Sequence, residues 1–259
     1  MRKLFQASVL FGLILSCSDQ ESYKHPVELT LPSAVNVSCQ NTPDEILHRV
    51  EYWYEDDQLM KETTLVNGLV QSRKIFDYNL QGKLSSETYV TDWIKTEKTF
   101  IYNDLSQLIN IVCKTTNYNT NGQIVDEHVE EAPLEYENNK LTKEWALWGG
   151  FSTYEYLNDK VTTKIDFTKY AEKHHVTTYT YSGDYVIEEK KETAFGTLIY
   201  DKKLQYDSDK RLISIVDGEN ILEENFYEGA KLIEKKTWYF GIDPGFDVCS
   251  GNYIYKYEY

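Results

Sequence analysis

The sequence predicts an all-β protein: an antiparallel meander of repeated hairpins, coiled or rolled into an elongated sheet. Three observations predict it. Tyrosine is abundant, at 22 of 259 residues, and aromatic side chains favour strands. Proline is scarce, with 5 in the chain, and a sheet interior tolerates little of it. A short frame also recurs: a tyrosine, a brief polar turn, then an aliphatic residue five or six positions on.

The frame occurs as Tyr54…Leu59, Tyr78…Leu84, Tyr102…Leu108, Tyr118…Ile124, Tyr136…Leu141, Tyr156…Val161, Tyr181…Val186, Tyr206…Leu212 and Tyr227…Leu232. A tenth, partial copy is expected at Tyr253-Ile254-Tyr255-Lys256-Tyr257. The mean period is about 22 residues, and a period of that size marks a repeat architecture. Each copy reads as a hairpin. The five-apart copies leave two-residue loops such as Asp56-Asp57, Asn138-Asn139 and Gly183-Asp184. These residue types tolerate the positive φ that tight hairpins need. The six-apart copies leave three-residue loops, and Gly82 and Gly122 stand at the left-handed third position.

Register follows from the frame. The tyrosine should lie across from its aliphatic partner, on one face of the sheet. Two residues earlier come Tyr52, Phe76, Phe100, Leu134, Tyr154, Tyr179 and Leu204 on the same face. Between frames, Asn67-Gly68, Gly149-Gly150 and Asp217-Gly218 mark the return turns. About 18–20 strands result, and a sheet that large is expected to curl.

The N-terminus reads differently. Met1-Arg2-Lys3 precedes an apolar run from Leu4 to Leu15, and Ser16-Cys17 follows. That is the shape of a secretory signal, too short to span a bilayer. Ile14-Leu15-Ser16-Cys17 resembles the lipobox of bacterial lipoproteins, which implies cleavage after residue 16 and acylation of Cys17. Ser18, Asp19 and Glu21 resemble the acidic export tag of surface lipoproteins in the Bacteroidota. Residues 1–16 are therefore expected to be a signal peptide and 17–44 an acylated cysteine with a flexible tether. Residues 45–259 form the repeat domain. The resemblance implies an outer-membrane lipoprotein exposed at the surface, with the periplasmic face as the alternative.

Tyr78-Asn79-Leu80-Gln81-Gly82-Lys83-Leu84 and Tyr206-Asp207-Ser208-Asp209-Lys210-Arg211-Leu212 resemble the YD repeat of RHS-type proteins. That resemblance covers about residues 48–259 and implies a β-strip. The last copy runs to the end of the chain, so no cargo domain is expected.

The chain carries a formal charge of −15, and losing Arg2 and Lys3 with the signal makes it more acidic. Nucleic acid is therefore not an expected partner. Three cysteines follow Cys17, and an odd number leaves at least one free or paired between chains. Cys39 and Cys249 flank the repeats and could clasp them, while Cys113, in an apolar stretch, reads as a buried thiol.

No nucleophile elbow, zinc-helix motif or phosphate loop occurs, so neither enzyme nor cofactor is expected. Asn117–Ile124 mimics a calcium loop, but it lacks the closing glutamate and fits the hairpin frame. No metal site is expected. The candidate binding residues are aromatics outside the frame: Trp145, Trp148, Trp238, Tyr239 and Phe240. Such rings can stack sugars or anchor a protein partner. The expected function is a non-enzymatic, lipid-anchored envelope protein that presents its sheet to a protein or glycan. A structural periplasmic component is the alternative, and a carbohydrate-active enzyme is a third reading.

Replacing Cys17 with Ser should abolish incorporation of labelled fatty acid into the protein. Labelling that persists in the variant would refute the lipoprotein reading.

Overall fold

The structure, a computed structural model, describes residues 31–147, 149–238 and 252–259. The signal peptide and the acidic tag lie outside the described residues. Among the described residues, eighteen strands form one antiparallel sheet. The first half comprises β1 (Ala34–Cys39), β2 (Thr42–Glu55), β3 (Gln58–Val66), β4 (Leu69–Tyr78), β5 (Leu84–Val90), β6 (Ile94–Tyr102), β7 (Leu108–Tyr118), β8 (Ile124–Glu137) and β9 (Lys140–Trp145). The second comprises β10 (Phe151–Leu157), β11 (Lys160–Phe167), β12 (Lys173–Ser182), β13 (Tyr185–Thr193), β14 (Leu198–Tyr206), β15 (Leu212–Asp217), β16 (Asn220–Glu228), β17 (Lys231–Trp238) and β18 (Asn252–Glu258).

Each strand pairs with its neighbours in the chain, and the ends meet. In β1, Val35 lies opposite Val50 of β2 and opposite Tyr257 of β18. The sheet is thus a closed up-and-down barrel. This corrects the expected coiled or rolled strip. The physical reason is a recurrent β-bulge. In all nine tyrosine frames the register shifts by one residue just before the tyrosine. Each bulge adds bend and right-handed twist; eight of the nine lie at one end of the sheet, and a strip bent eight times at the same end brings its edges together. Closure then satisfies the two edges that a strip would expose. Ser85, Thr142 and Thr162 are bulge residues, and each hydroxyl donates to a carbonyl of the facing strand, Asp77 O, Glu135 O and Glu155 O.

The pairing of each tyrosine with its aliphatic partner is as expected, from Tyr54 opposite Leu59 to Tyr227 opposite Leu232. The turns also follow. Asp56-Asp57, Asn138-Asn139 and Asn158-Asp159 have positive φ at both positions, while Gly183 and Gly229 have it at the first. The three-residue loops put Gly82, Gly122, Ser106 and Lys210 in the left-handed region. The residue after the tyrosine makes these loops affordable. Asn79 Oδ1 accepts from the N–H groups of Gln81 and Lys83, and Asp207 Oδ1 from those of Asp209 and Arg211. The side chain thereby caps the turn from within.

Two expectations about the repeat are corrected. Tyr118…Ile124 is not in phase with the others. Its turn joins β7 to β8, at the opposite end of the barrel from the turn joining β2 to β3, because strands alternate in direction. The C-terminal frame centres on Tyr259, not on Tyr253–Tyr257 as the partial copy suggested. Tyr259 makes the contact that defines the other frames, donating its hydroxyl to Leu232 O at 2.8 Å. The sheet also begins at Ala34, inside the segment expected to be tether, because Val35 and Val37 fill the seam at 0% exposure.

The tyrosine contact links consecutive hairpins. Tyr78, Tyr102, Tyr156, Tyr181, Tyr206, Tyr227 and Tyr259 each donate to the carbonyl of the aliphatic residue in a preceding frame, at 2.8–3.0 Å. The cation before that aliphatic residue reaches the same way. Lys83, Lys140, Lys160, Arg211 and Lys231 lie 4.8–5.4 Å over the rings of Tyr102, Tyr156, Tyr181, Tyr227 and Tyr259. The tyrosine, its aliphatic partner and, in these five frames, the cation each make a contact across a hairpin or between hairpins.

The tyrosine face is the more buried one and lines the inside, where side chains of a closed wall converge. Two clusters of buried apolar residues lie on it. One is at the seam (Val35, Val37, Val50, Tyr52, Tyr255) and one spans β6 to β10 (Phe100, Leu108, Leu134, Leu141, Tyr154). Toward the far end the inside carries cross-strand ion pairs: Glu62–Lys74, Glu87–Lys98, Glu144–Lys164 and Glu223–Lys235, at 2.6–3.0 Å. Cys113 is a buried free thiol, as expected, and its burial raises its pKa. Cys39 is disulfide-bonded, and Cys249 lies outside the described residues.

Tyr54 is the exception in the ladder. Its preceding hairpin is the seam of the chain ends, and its buried hydroxyl has no hydrogen-bond partner among the described residues. Burial pushes its pKa up to about 12. Tyr227→Phe should therefore cost about 1 kcal/mol, since it strands a carbonyl. Tyr54→Phe should be neutral or stabilising. Urea denaturation of the two variants checks the contrast.

Candidate binding surface

The two ends of the barrel differ. One end carries the tyrosine ladder, and Ser33 enters the sheet there, its N–H bonded to Glu258 O at 2.7 Å. The chain therefore joins the barrel beside its own C-terminus. An outer clamp holds this seam. Arg49 donates to both carboxylate oxygens of Glu258 at 2.6 and 2.7 Å, and Asn36 Nδ2 donates to Glu258 Oε1 at 2.6 Å. Arg49 and Asn36 hold the Glu258 pKa below its ordinary value. An open depression of about 550 Å³ at this end lies between the turns after Tyr78 and Tyr102. Lys83 reaches across it to the Ser106 carbonyl, so the ladder itself occupies it.

The far end carries the features outside the frame. Trp145 lies opposite Phe151, and Phe151 opposite Phe167, on the outer face of β9, β10 and β11. Phe151 and Phe167 stack at 4.6 Å, and Trp145 and Phe151 are 6.1 Å apart. Lys143 Nζ sits 3.9 Å from the Trp145 ring centroid and 4.2 Å from that of Phe151. The result is a half-buried strip of three rings topped by one cation. The turn beside it is tight. Gly150 has φ +86, and a Cβ there would stand 2.5 Å from Phe167 O.

Of the sequence-predicted aromatics, Trp145 and Trp238 are among the described residues, and these two stand apart. Trp238 ends β17, opposite Asn252 and half-buried. That is eight strands from Trp145 in a ring of eighteen. Trp148, Tyr239 and Phe240 lie outside the described residues. Sequence reasoning missed Phe151 and Phe167. Their signal was the alternation of Phe151, Thr153 and Glu155 on the face opposite Tyr154 and Tyr156.

Other candidates resolve into structure. Asn119, in the calcium-like loop, spends its Oδ1 on the N–H groups of Asn121 and Gln123. His174 and His175 contact one another, with ring centroids 3.7 Å apart. Burial, then Lys191, lowers the His175 pKa. Among the described residues, no group of three or more His, Cys, Asp or Glu is placed to hold a metal ion.

The outer wall is charged along its height. Glu51 and Glu55 of β2, Glu131 and Glu135 of β8, Lys190 of β13, Lys203 of β14 and Lys256 of β18 all point outward. A membrane-spanning barrel needs an outward apolar band about 25 Å tall. The described wall has none. Outside the three-ring strip, an exposed apolar residue such as Ile75 shares its face with charge, with Lys61 opposite it and Arg73 and Asp77 on either side along the strand.

No family model and no curated protein matches the chain. Among solved structures, it resembles a porin-like protein from Bacteroides uniformis, at 13% identity and a TM-score of 0.40. The match covers 82% of this chain and 62% of that one, so the chain spans less than two thirds of its length. A DUF3836 family protein from Parabacteroides distasonis matches 32% of this chain and 87% of its own, at 18% identity and a TM-score of 0.24. Neither superposes closely enough to carry a function across.

Proposed function

We propose that the protein is a lipid-anchored component of the cell envelope that presents a closed β-barrel, without catalysis, to a protein or glycan. Cys17 anchors it to the outer membrane, and Ser18, Asp19 and Glu21 direct it to the surface. The barrel stands beside the membrane and does not cross it. The observation that carries this reading is the charged outer wall. Burying even one Lys of the wall at the bilayer midplane would cost about 2–4 kcal/mol, and the wall carries many charges of both signs. Membrane attachment therefore falls to the N-terminal cysteine.

Two further observations support the orientation. The chain enters the sheet at the ladder end, so that end faces the anchor. The Trp145–Phe151–Phe167 strip and the longest hairpin stand at the other end, away from it.

Two measurements test the reading. The Cys17→Ser protein should stay in solution without detergent, whereas a spanning barrel would precipitate. Protease added to intact cells should remove the native protein. It should spare a variant with Ser18, Asp19 and Glu21 all replaced by Ala, until the cells are lysed. Protection of the native protein in intact cells would transfer the proposal to the periplasmic face.

A further inference from the structure

The strand β8 runs from Ile124 to Glu137, and β7 pairs with it up to Ile124. On its other side β9 meets it only from Leu134 onward. Residues 124–133 therefore rise past the β9 rim with one side unpaired among the described residues. At about 3.4 Å per residue that free edge is about 30 Å long. It is also open to solvent: Ile124 is 59% exposed, Val125 66% and Val129 55%.

Pro133 fixes which groups are free. A proline has no N–H to give, so it fits a position whose N–H would point away from β7. Strand alternation gives Glu131, Val129 and Glu127 the same direction. Their N–H and C=O groups face the open side. The edge carries four carboxylates, Asp126, Glu127, Glu130 and Glu131, and no lysine or arginine. Lys114 pairs with Glu127 at 2.8 Å, and His128 lies 2.9 Å from Glu130. An excess of negative charge remains. Edges are commonly protected by charge, but this protection has one sign. It repels a second copy of β8, which would set carboxylate against carboxylate. It favours a cationic strand.

We propose that the free edge of β8 takes an extended, lysine- or arginine-rich segment of a partner protein as an added strand. Main-chain hydrogen bonds to Glu127, Val129 and Glu131 would give the pairing. The flanking carboxylates would select the charge, and Ile124, Val125 and Val129 would take alternate apolar side chains. The inference deepens the binding role proposed above by naming the partner class. It rests on that role only in needing the far rim to be accessible.

The test uses the full chain with its anchor, purified in detergent. The probe is a fluorescein-labelled octapeptide of alternating lysine and valine, followed by anisotropy. Saturable binding is expected at physiological salt. A probe of equal charge but with N-methylated backbone should bind about tenfold more weakly or worse, because it cannot complete the ladder. Val129→Pro should weaken binding similarly, and circular dichroism should show its fold intact. Equal binding of the methylated probe would mean charge attraction alone and would overturn the proposal. So would the absence of saturable binding. Sedimentation showing a dimer that Val129→Pro dissolves would assign the edge to a second copy instead. None of these outcomes depends on where the protein sits in the cell, so protease shaving can fail or succeed separately.

Discussion

The structure depends on one hydrogen bond made repeatedly: a tyrosine hydroxyl donating to a backbone carbonyl of an earlier hairpin. A hairpin alone is marginal in water, and these hairpins share no thick core. Their two buried apolar clusters are separate and lie on one face of a single layer. The sheet's backbone ladder holds strands side by side, but it does not set the angle between hairpins. The tyrosine does. Its ring lies against its own aliphatic partner, and its hydroxyl reaches one hairpin further, as in Tyr206 to Val186 O at 2.9 Å. The cation of the frame covers the ring from the earlier side. Five of the joints are therefore stapled by two groups, hydroxyl and cation, and the bulge before the tyrosine recurs at each joint of the ladder end.

Closure follows from that uniformity. A bend repeated at each frame turns a strip into a ring, and β1 completes it between β2 and β18. The cost appears at the seam. A turn is replaced there by the seam of β1 and β18, and the buried hydroxyls of Tyr54 and Tyr52 have no partner among the described residues. The Arg49–Glu258–Asn36 clamp on the outside compensates with charge-assisted bonds where the ladder is interrupted. The same geometry separates two jobs. The ladder end is committed to holding the barrel and lies next to the incoming chain. The far end is free to vary, and the long strands, the aromatic strip and the exposed edge of β8 are all found there.

Much of this was legible in the sequence. The nine frames gave the strand pairs and their register, because a tyrosine and an aliphatic residue across a tight turn can meet in only one way. Loop lengths were legible too, since Asp56-Asp57 and Gly82 carry their turn type in their chemistry. Closure was not legible. The bulge residues are Ile, Val, Ser, Thr and Met, which look like ordinary strand residues, and only pairing shows that one is skipped. Tyr118 was misleading for a related reason. Its turn has the same local chemistry as the others, and only the direction of its strands places it at the opposite end. Tyr259 was missed because its aliphatic partner would lie before Ala34, far away in the chain. As for the site, Trp145 was found as an aromatic outside the frame. Phe151 and Phe167 escaped because their stacking comes from register across three strands.

The measurement that tests this account most directly is amide hydrogen exchange at the two terminal strands. A closed barrel predicts that the ladder amides of β1 and β18 are protected as strongly as those of central strands such as β6 and β7. An open strip would leave both terminal strands with a free edge. Fast exchange confined to β1 and β18, with the centre protected, would contradict closure and the ladder argument built on it.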